Sequence, residues 1–312
     1  MSNVKELKEK DKLTIRLMVK GCTKGATSKG SPYLNLSLQD CSGTIEGKFW
    51  DVKPEEETAV HIGHVEDIQC EVLEYNHNLQ LRVNKITDLP QEELDLTQFV
   101  MTSRISEDAA RAKVTGYLDS FKDEIYRTLV QGMLDKVGEK FFQYPAASKI
   151  HHGYMGGLAE HTLGMAAVAE DICSLYPQLN RDLLIAGVLV HDLGKTAELG
   201  GLIQSEYSEE GKLCGHISIG HAWLVEVADE KGLATAEETL LLRHMILSHH
   251  GKLEYGSPMT PEIPEAEVLS LIDNLDARLN TLKTALEGVK PGQWTSRIFA
   301  LENRQFYKPR EN

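Results

Sequence analysis

The sequence predicts a multidomain chain, an N-terminal all-β barrel followed by an all-α domain. Three observations predict it. The 312 residues exceed one ordinary domain of about 100–200 residues. Apolar residues alternate with period two as far as Leu89, then recur at helical spacing from Ile105. Nine of the 12 histidines fall between His151 and His250, where an even spread would put about four.

The β elements come first. KLTIRLMVK alternates Leu13, Ile15, Leu17 and Val19 against polar neighbours, and GCTKGATSKGSP reads as a turn-rich break. YLNLSLQD alternates through Leu34, Leu36 and Leu38, and CSG turns into TIEGKFWDV. VEDIQCEVLEY, a turn at Asn76–His77–Asn78 and LQLRVNKITDL complete five segments, which suggests a small barrel of the OB-fold type over residues 1–90. Residues 91–104 read as a linker. Over 105–140, Val114, Leu118, Phe121, Ile125, Leu129, Met133 and Val137 keep helical spacing. Helices are expected onward to residue 304, broken by GGL at 156–158, GG at 200–201 and the Pro258–Pro264 loop; 305–312 read as a polar tail.

Composition narrows the class. The opening MSNVKELKEKDKL is charged and has no apolar stretch, so no secretory signal is expected. The longest apolar run, Leu183 to Val190 around Gly187, is far short of the ~20 residues that span a bilayer, and no membrane partner is expected. Five scattered cysteines without a CxxC pair fit a reducing cytoplasm better than a disulfide framework. The net charge of −14 argues against a general nucleic-acid coat protein. Residues 1–90, however, hold 12 Lys and Arg against 14 Asp and Glu, while the rest hold 21 against 33. The near-neutral barrel can therefore carry a local basic track.

OB-folds are common platforms for single strands. Alternation puts Lys48 and Trp50 on one face of a strand and Phe49 on the other. With Phe49 inside, Trp50 can stack on a base and Lys48 can meet phosphate; otherwise Trp50 is a core or interface residue. Lys20, Lys24 and Lys29 flank the first loop and either line the same groove or are simply solvated.

Five pieces of the helical region carry chemistry: GGLAEHTLG with His161, LLIAGVLVHDLGK with His191, Asp192 and Lys195, GHISIGH with His216 and His221, MILSHHG with His249 and His250, and EAEVLSLIDNLDARL with Asp273 and Asp276. Each alone has a plain explanation. A helix-terminal His complements the macrodipole, and Asp273, Asp276 and Asn280 form one polar stripe that can face solvent. Five together in one helical domain point to a shared divalent cation, which offsets the cost of burying His and Asp. Such ligands suit Mn²⁺, Fe²⁺, Co²⁺ or Zn²⁺.

His161, His191–Asp192 and Asp273 follow an H…HD…D order, and on these residues the domain resembles the HD-domain phosphohydrolase superfamily. His216 and the His249–His250 pair resemble its two-metal branch. PAASKIHHGYMGGLAEHT, HHGKLEYGSPMTPEIPEA and the preceding barrel resemble the YhaM-type 3′→5′ exoribonucleases. The resemblance covers nearly the whole chain. It implies that His161, His191, Asp192 and Asp273 hold one metal, and that His216, His249 and His250 hold a second, with Asp192 bridging. It also implies two divalent ions, Mn²⁺ expected first, and a homo-oligomer. Lys195 is expected to neutralise phosphate oxygens, while Lys149 and His152 either touch phosphate or pack and solvate a helix. His221 and His244 are expected to be structural.

The leading expectation is hydrolysis of single-stranded RNA, or also DNA, from the 3′ end, with the barrel holding the strand. A cyclic-dinucleotide phosphodiesterase is the nearest rival, although its HHE…GYP continuation is absent after His250, where GKLEYGSP stands. A nucleotide phosphohydrolase would leave the barrel unused. A nucleic-acid-binding regulator with an inactive HD site is the alternative from another class, but no ligand position has been lost.

Overall fold

The computed structural model describes residues 3–27, 30–58, 60–75, 78–95, 98–147, 153–201 and 207–310. The chain divides into two compact units, Met1–Thr102 and Ser103–Asn312.

The first unit is a closed five-stranded barrel with strand order β1-β2-β3-β5-β4. Its strands are β1 (Lys12–Ala26), β2 (Pro32–Asp40), β3 (Gly43–Trp50), β4 (Val65–Tyr75) and β5 (Asn78–Asp88). A short helix α1 (Pro54–Glu57) joins β3 to β4. Alternation builds the interior: Ile15, Leu17, Val19, Leu34, Leu36, Leu38, Ile45, Phe49, Ile68, Val72, Leu81 and Val83 form one buried cluster. All neighbouring strands are antiparallel except β3 and β5.

The turn-rich GCTKGATSKGSP is not a break from its start: β1 runs on to Ala26. The register shifts between Val19 and Gly21. That bulge bends the strand, so Lys12–Met18 pair with β4 and Met18–Ala26 with β2. The expected linker is also tied down at its start. The Gln91 side chain accepts from the Val65 N–H at 2.9 Å and donates to the Val65 carbonyl at 3.0 Å.

The second unit is helical: α2 (Glu107–Ser120), α3 (Glu124–Val137), α4 (Lys140–Gln143), α5 (Gly157–Leu175), α6 (Arg181–Val190), α7 (Lys195–Glu198), α8 (Glu209–Glu230), α9 (Glu237–Ser248) and α10 (Pro264–Glu287). Helical spacing over 105–140 thus resolves into separate helices. Asp123 starts α3 by accepting from the Ile125 N–H at 2.8 Å. GGL does not break a helix but opens one, with Gly156 in the left-handed region at φ 74°. Helix α6 is buried from Asp182 to Val190 and packs against α3, α5, α9 and α10; a helix apolar all round belongs inside. The polar tail is no free end either. Thr295 and Phe306 are bonded backbone to backbone at 2.9 Å, and Lys308 to Gln293 at 2.8 Å. No helix among the described residues is long and apolar enough to cross a membrane.

Candidate metal centre and nucleic-acid platform

Five helices and the HD turn bring the sequence-predicted ligands together. His161 lies on the buried face of α5. His191 ends α6 and Asp192 follows it, both buried. His216 lies on α8, His249 ends α9, and Asp273 lies on α10. Two local features set this up. A Cβ on Gly194 would stand 2.1 Å from the His216 carbonyl oxygen, so only glycine lets the HD turn pass this close to α8. Gly215 breaks the helical path of α8 at φ 71°, and the freed His216 N–H donates to Glu198 Oε1 at 3.0 Å.

The ligand atoms fall into two groups. One atom each from His161, His191 and Asp273 lie within 4.8 Å of one another, as do one each from His216, His249 and His250. Asp192 faces both groups. Its Oδ2 is 3.3 Å from His191 Nε2 and 3.7 Å from His161 Nε2. Its Oδ1 is 3.5 Å from His216 Nε2 and 3.7 Å from His249 Nε2.

Every one of these five histidines is held by its other nitrogen. His161 Nδ1 is 2.6 Å from Asp276 Oδ2, and His216 Nδ1 is 3.0 Å from Glu198 Oε1. His191 Nδ1 is 2.8 Å from the Val188 carbonyl, His249 Nδ1 2.7 Å from that of Ile246, and His250 Nδ1 2.9 Å from that of Tyr255. Carbonyl and carboxylate oxygens only accept, so Nδ1 carries a proton in each, and in His191, His216, His249 and His250 Nε2 keeps a lone pair for a metal, while His161 Nε2 faces Asp273 Oδ1 at 3.3 Å. Sequence reading missed Asp276 and Glu198 as orienting partners. The available signal was spacing: each carboxylate stands three residues beyond a named site residue, Asp273 or Lys195.

The donor set fits divalent cations. Six buried side-chain nitrogen or oxygen atoms lack a hydrogen-bond partner among the described residues, and four of them are here: His191 Nε2, Asp192 Oδ1, His216 Nε2 and His249 Nε2. An unsatisfied buried group costs about 1–3 kcal/mol, and a cation between them removes that cost. Burial opposes a charge on His161, but Asp273 and Asp276 outweigh it and push its pKa up to about 9, so a cation would have to displace the proton that Nε2 shares with Asp273. Burial and the neighbouring His250 hold His249 well below the usual imidazole range, as a neutral donor. Burial also works against an ionised Asp192, yet Lys195 and His191 hold it well below the usual carboxylate range. Lys195 Nζ sits 2.6 Å from Asp192 Oδ2.

His221 and His244 lie outside these groups. His221 Nε2 accepts from Arg243 Nε at 3.0 Å, and His244 Nε2 from the Glu262 N–H at 2.9 Å. Lys149, His152 and Lys29 lie outside the described residues.

On the barrel, Phe49 is buried and Trp50 is 43% exposed. Tyr33 of β2 stands opposite Trp50, with ring centroids 4.8 Å apart. Lys48 Nζ lies 5.1 Å from the Tyr33 ring and 5.5 Å from the Trp50 ring. Tyr33 joins Lys48 and Trp50 on this face unannounced by the sequence reading, although its place one residue before inward Leu34 carried the signal. Lys24 is committed elsewhere, to Glu57 at 2.6 Å. Lys20 is half-buried, and burial lowers its pKa.

Helical fold and ligand order define the class of the second unit: it is an HD domain, and the HD-domain family model matches residues 158–278. The chain is 42% identical over 300 residues to the 3′-5′ exoribonuclease YhaM of Geobacillus sp. (strain WCH70), a match spanning 96% of this chain and 92% of that protein. It belongs to the YhaM 3′-5′ exoribonuclease family. Among solved structures, the second OB-fold domain of replication protein A from Methanococcus maripaludis is 21% identical and covers 30% of this chain and 98% of its own. Its TM-score of 0.24 is too low to bear on this chain.

Proposed function

We propose that the chain removes nucleotides from the 3′ end of single-stranded RNA, with single-stranded DNA as a further substrate class. Asp192 carries the reading: one buried carboxylate offers an oxygen to each of two ligand groups. His161, His191, Asp192 and Asp273 would hold one divalent ion and His216, His249, His250 and Asp192 a second, Mn²⁺ first among Mn²⁺, Co²⁺, Fe²⁺ and Zn²⁺, supplying the activation of water and the phosphoryl polarisation that diester hydrolysis needs. The chain's own residues do the rest. Asp276 and Glu198 fix His161 and His216 so that Nε2 faces inward. Lys195, held on Asp192, brings a cation to where phosphate oxygens would lie.

Trp50, Tyr33 and Lys48 supply stacking faces and a charge for the strand. Polarity from the 3′ end rests on the relative's activity. A homo-oligomer, which family resemblance implies, and a reducing cytoplasm, which suits five free thiols, belong to the same reading. The test is purified protein with Mn²⁺ and single-stranded RNA labelled at the 5′ end. A descending ladder is expected. Intact RNA beside turnover of a cyclic dinucleotide would replace this reading with the phosphodiesterase one.

A further inference from the structure

Two of the six buried side-chain atoms without a hydrogen-bond partner lie far along the sequence from the HD residues, in the barrel unit: His64 Nδ1 and Glu66 Oε2. They belong to one cluster. His61 and His64 occupy the turn before β4, Glu66 is the second residue of β4, and Asp88 is the last residue of β5. Glu66 and Asp88 are cross-strand partners.

The turn is pinned by β1. The Gly63 N–H donates to the Val19 carbonyl at 2.8 Å, and the Val19 N–H to the His64 carbonyl at 2.9 Å. Gly63 has φ 87°, a backbone that favours glycine and folds His64 back toward His61. The two imidazoles stack with centroids 4.9 Å apart. His61 Nδ1 lies 3.7 Å from Glu66 Oε1, and His64 Nδ1 lies 3.5 Å from Asp88 Oδ1. One ligand atom each from His61, His64 and Asp88 lie within 4.8 Å of one another.

Charge in this cluster is unbalanced. The Glu66 side chain is 0% exposed. Its Oε1 accepts from the His61 N–H at 2.9 Å, but Oε2 has no hydrogen-bond partner among the described residues. Among the described residues, no lysine or arginine pairs with Glu66 or Asp88. A buried carboxylate without a cation is costly. Either a proton or a metal relieves it.

We propose that His61, His64 and Asp88, beside the buried Glu66 carboxylate, form a second metal site, separate from the HD centre, that binds a zinc-type divalent cation and ties the turn before β4 to the end of β5. Two imidazoles with carboxylates are a zinc donor set. Zn–N bonds of 2.0–2.1 Å put tetrahedral ligand atoms roughly 3.3 Å apart. Closing from within 4.8 Å to that spacing would need rotation of His61 and Asp88, whose side chains are 44% and 48% exposed. The proton is the rival occupant, since burial raises the Glu66 pKa.

The test measures zinc content by elemental analysis after equilibrium dialysis of the full chain. Two pairs are compared: wild type with His64→Ala, and Asp192→Ala with Asp192→Ala/His64→Ala. In each pair the His64→Ala member should hold about one equivalent less zinc per chain. Equal zinc within both pairs overturns the barrel site and leaves the proton on Glu66 as occupant. The difference between wild type and Asp192→Ala reports on the HD centre alone, so the two readings fail separately. His61→Gln, at an exposed position, reads the same loss should circular dichroism show His64→Ala unfolded.

Discussion

In the barrel, Phe49 fills the interior while its neighbours Lys48 and Trp50 face outward. In the helical domain, His191 and Asp192 end an all-buried helix and are themselves buried. The difference follows from element geometry. The interior of a five-stranded barrel is filled by alternate side chains, so the residues between them, Lys48 and Trp50 here, are left on its surface. Helix ends, by contrast, can converge and leave a polar centre inside a large core. A surface platform suits the binding of a strand of any sequence, because every base has a face to stack. A buried centre suits hydrolysis, because fixed charges act more strongly away from water.

The sharpest break of this comparison is Asp192→Ala. Both ligand groups lose their shared carboxylate, and hydrolysis of bis(p-nitrophenyl) phosphate should fall to background under every divalent metal. The chain should remain folded, because α6 keeps its apolar packing. Substantial Mn²⁺-dependent turnover by the folded variant would sink the shared-ligand arrangement. Next in size is the separation of the units. A fragment covering residues 103–312 retains every proposed ligand of the HD centre and should still hydrolyse the small diester. Loss of two stacked bases at roughly 1–3 kcal/mol each should weaken single-stranded RNA binding by about a hundredfold or more. RNA binding equal to the full chain, read by fluorescence anisotropy, would remove the barrel as platform.

Asp276→Ala comes third. It leaves His161 with no carboxylate on Nδ1 from α10, and metal affinity should drop by about 10–100-fold. A titration of activity against Mn²⁺ reads this as a rightward shift, partly reversed in Asp276→Asn, whose amide oxygen still accepts. An unshifted curve would mean that the 2.6 Å contact orients nothing. The smallest effect is counted rather than scaled. His249→Ala with His250→Ala should take bound metal from about two toward one per chain at the HD centre. Comparison within the Asp88→Asn background keeps the barrel cluster out of the count. Unchanged stoichiometry would make the pair a helix terminus and nothing more.

Much of the centre was legible in the chain. HDLGK after an apolar run, a distant Asp on a helix and a His-His pair all named residues that converge. Their reading was possible because His and carboxylate stand out in apolar helices, and resemblance to the HD-domain superfamily sorted them into a ligand set. The orienting carboxylates were not legible. Asp276 shares a polar stripe with Asn280, and only the packing of α10 against α5 decides that it meets His161 instead of solvent. Tyr33 is similar: alternation puts it outside, but the register of β2 on β3 decides that it faces Trp50.

Periodicity by itself determined the two-part architecture and the barrel interior, because burial selects apolar residues at fixed spacing, while resemblance to the HD-domain superfamily supplied the proposed ligand set. Tertiary structure alone decided which nitrogen of each histidine faces Asp192 or its neighbours, that Asp192 faces both ligand groups, and that β1 continues through a bulge past Gly21. It alone brought His61, His64, Glu66 and Asp88 together. The physical reason is distance along the chain. A hydrogen bond or a shared cation joins residues as far apart as His161 and Asp276, and no local pattern carries that pairing.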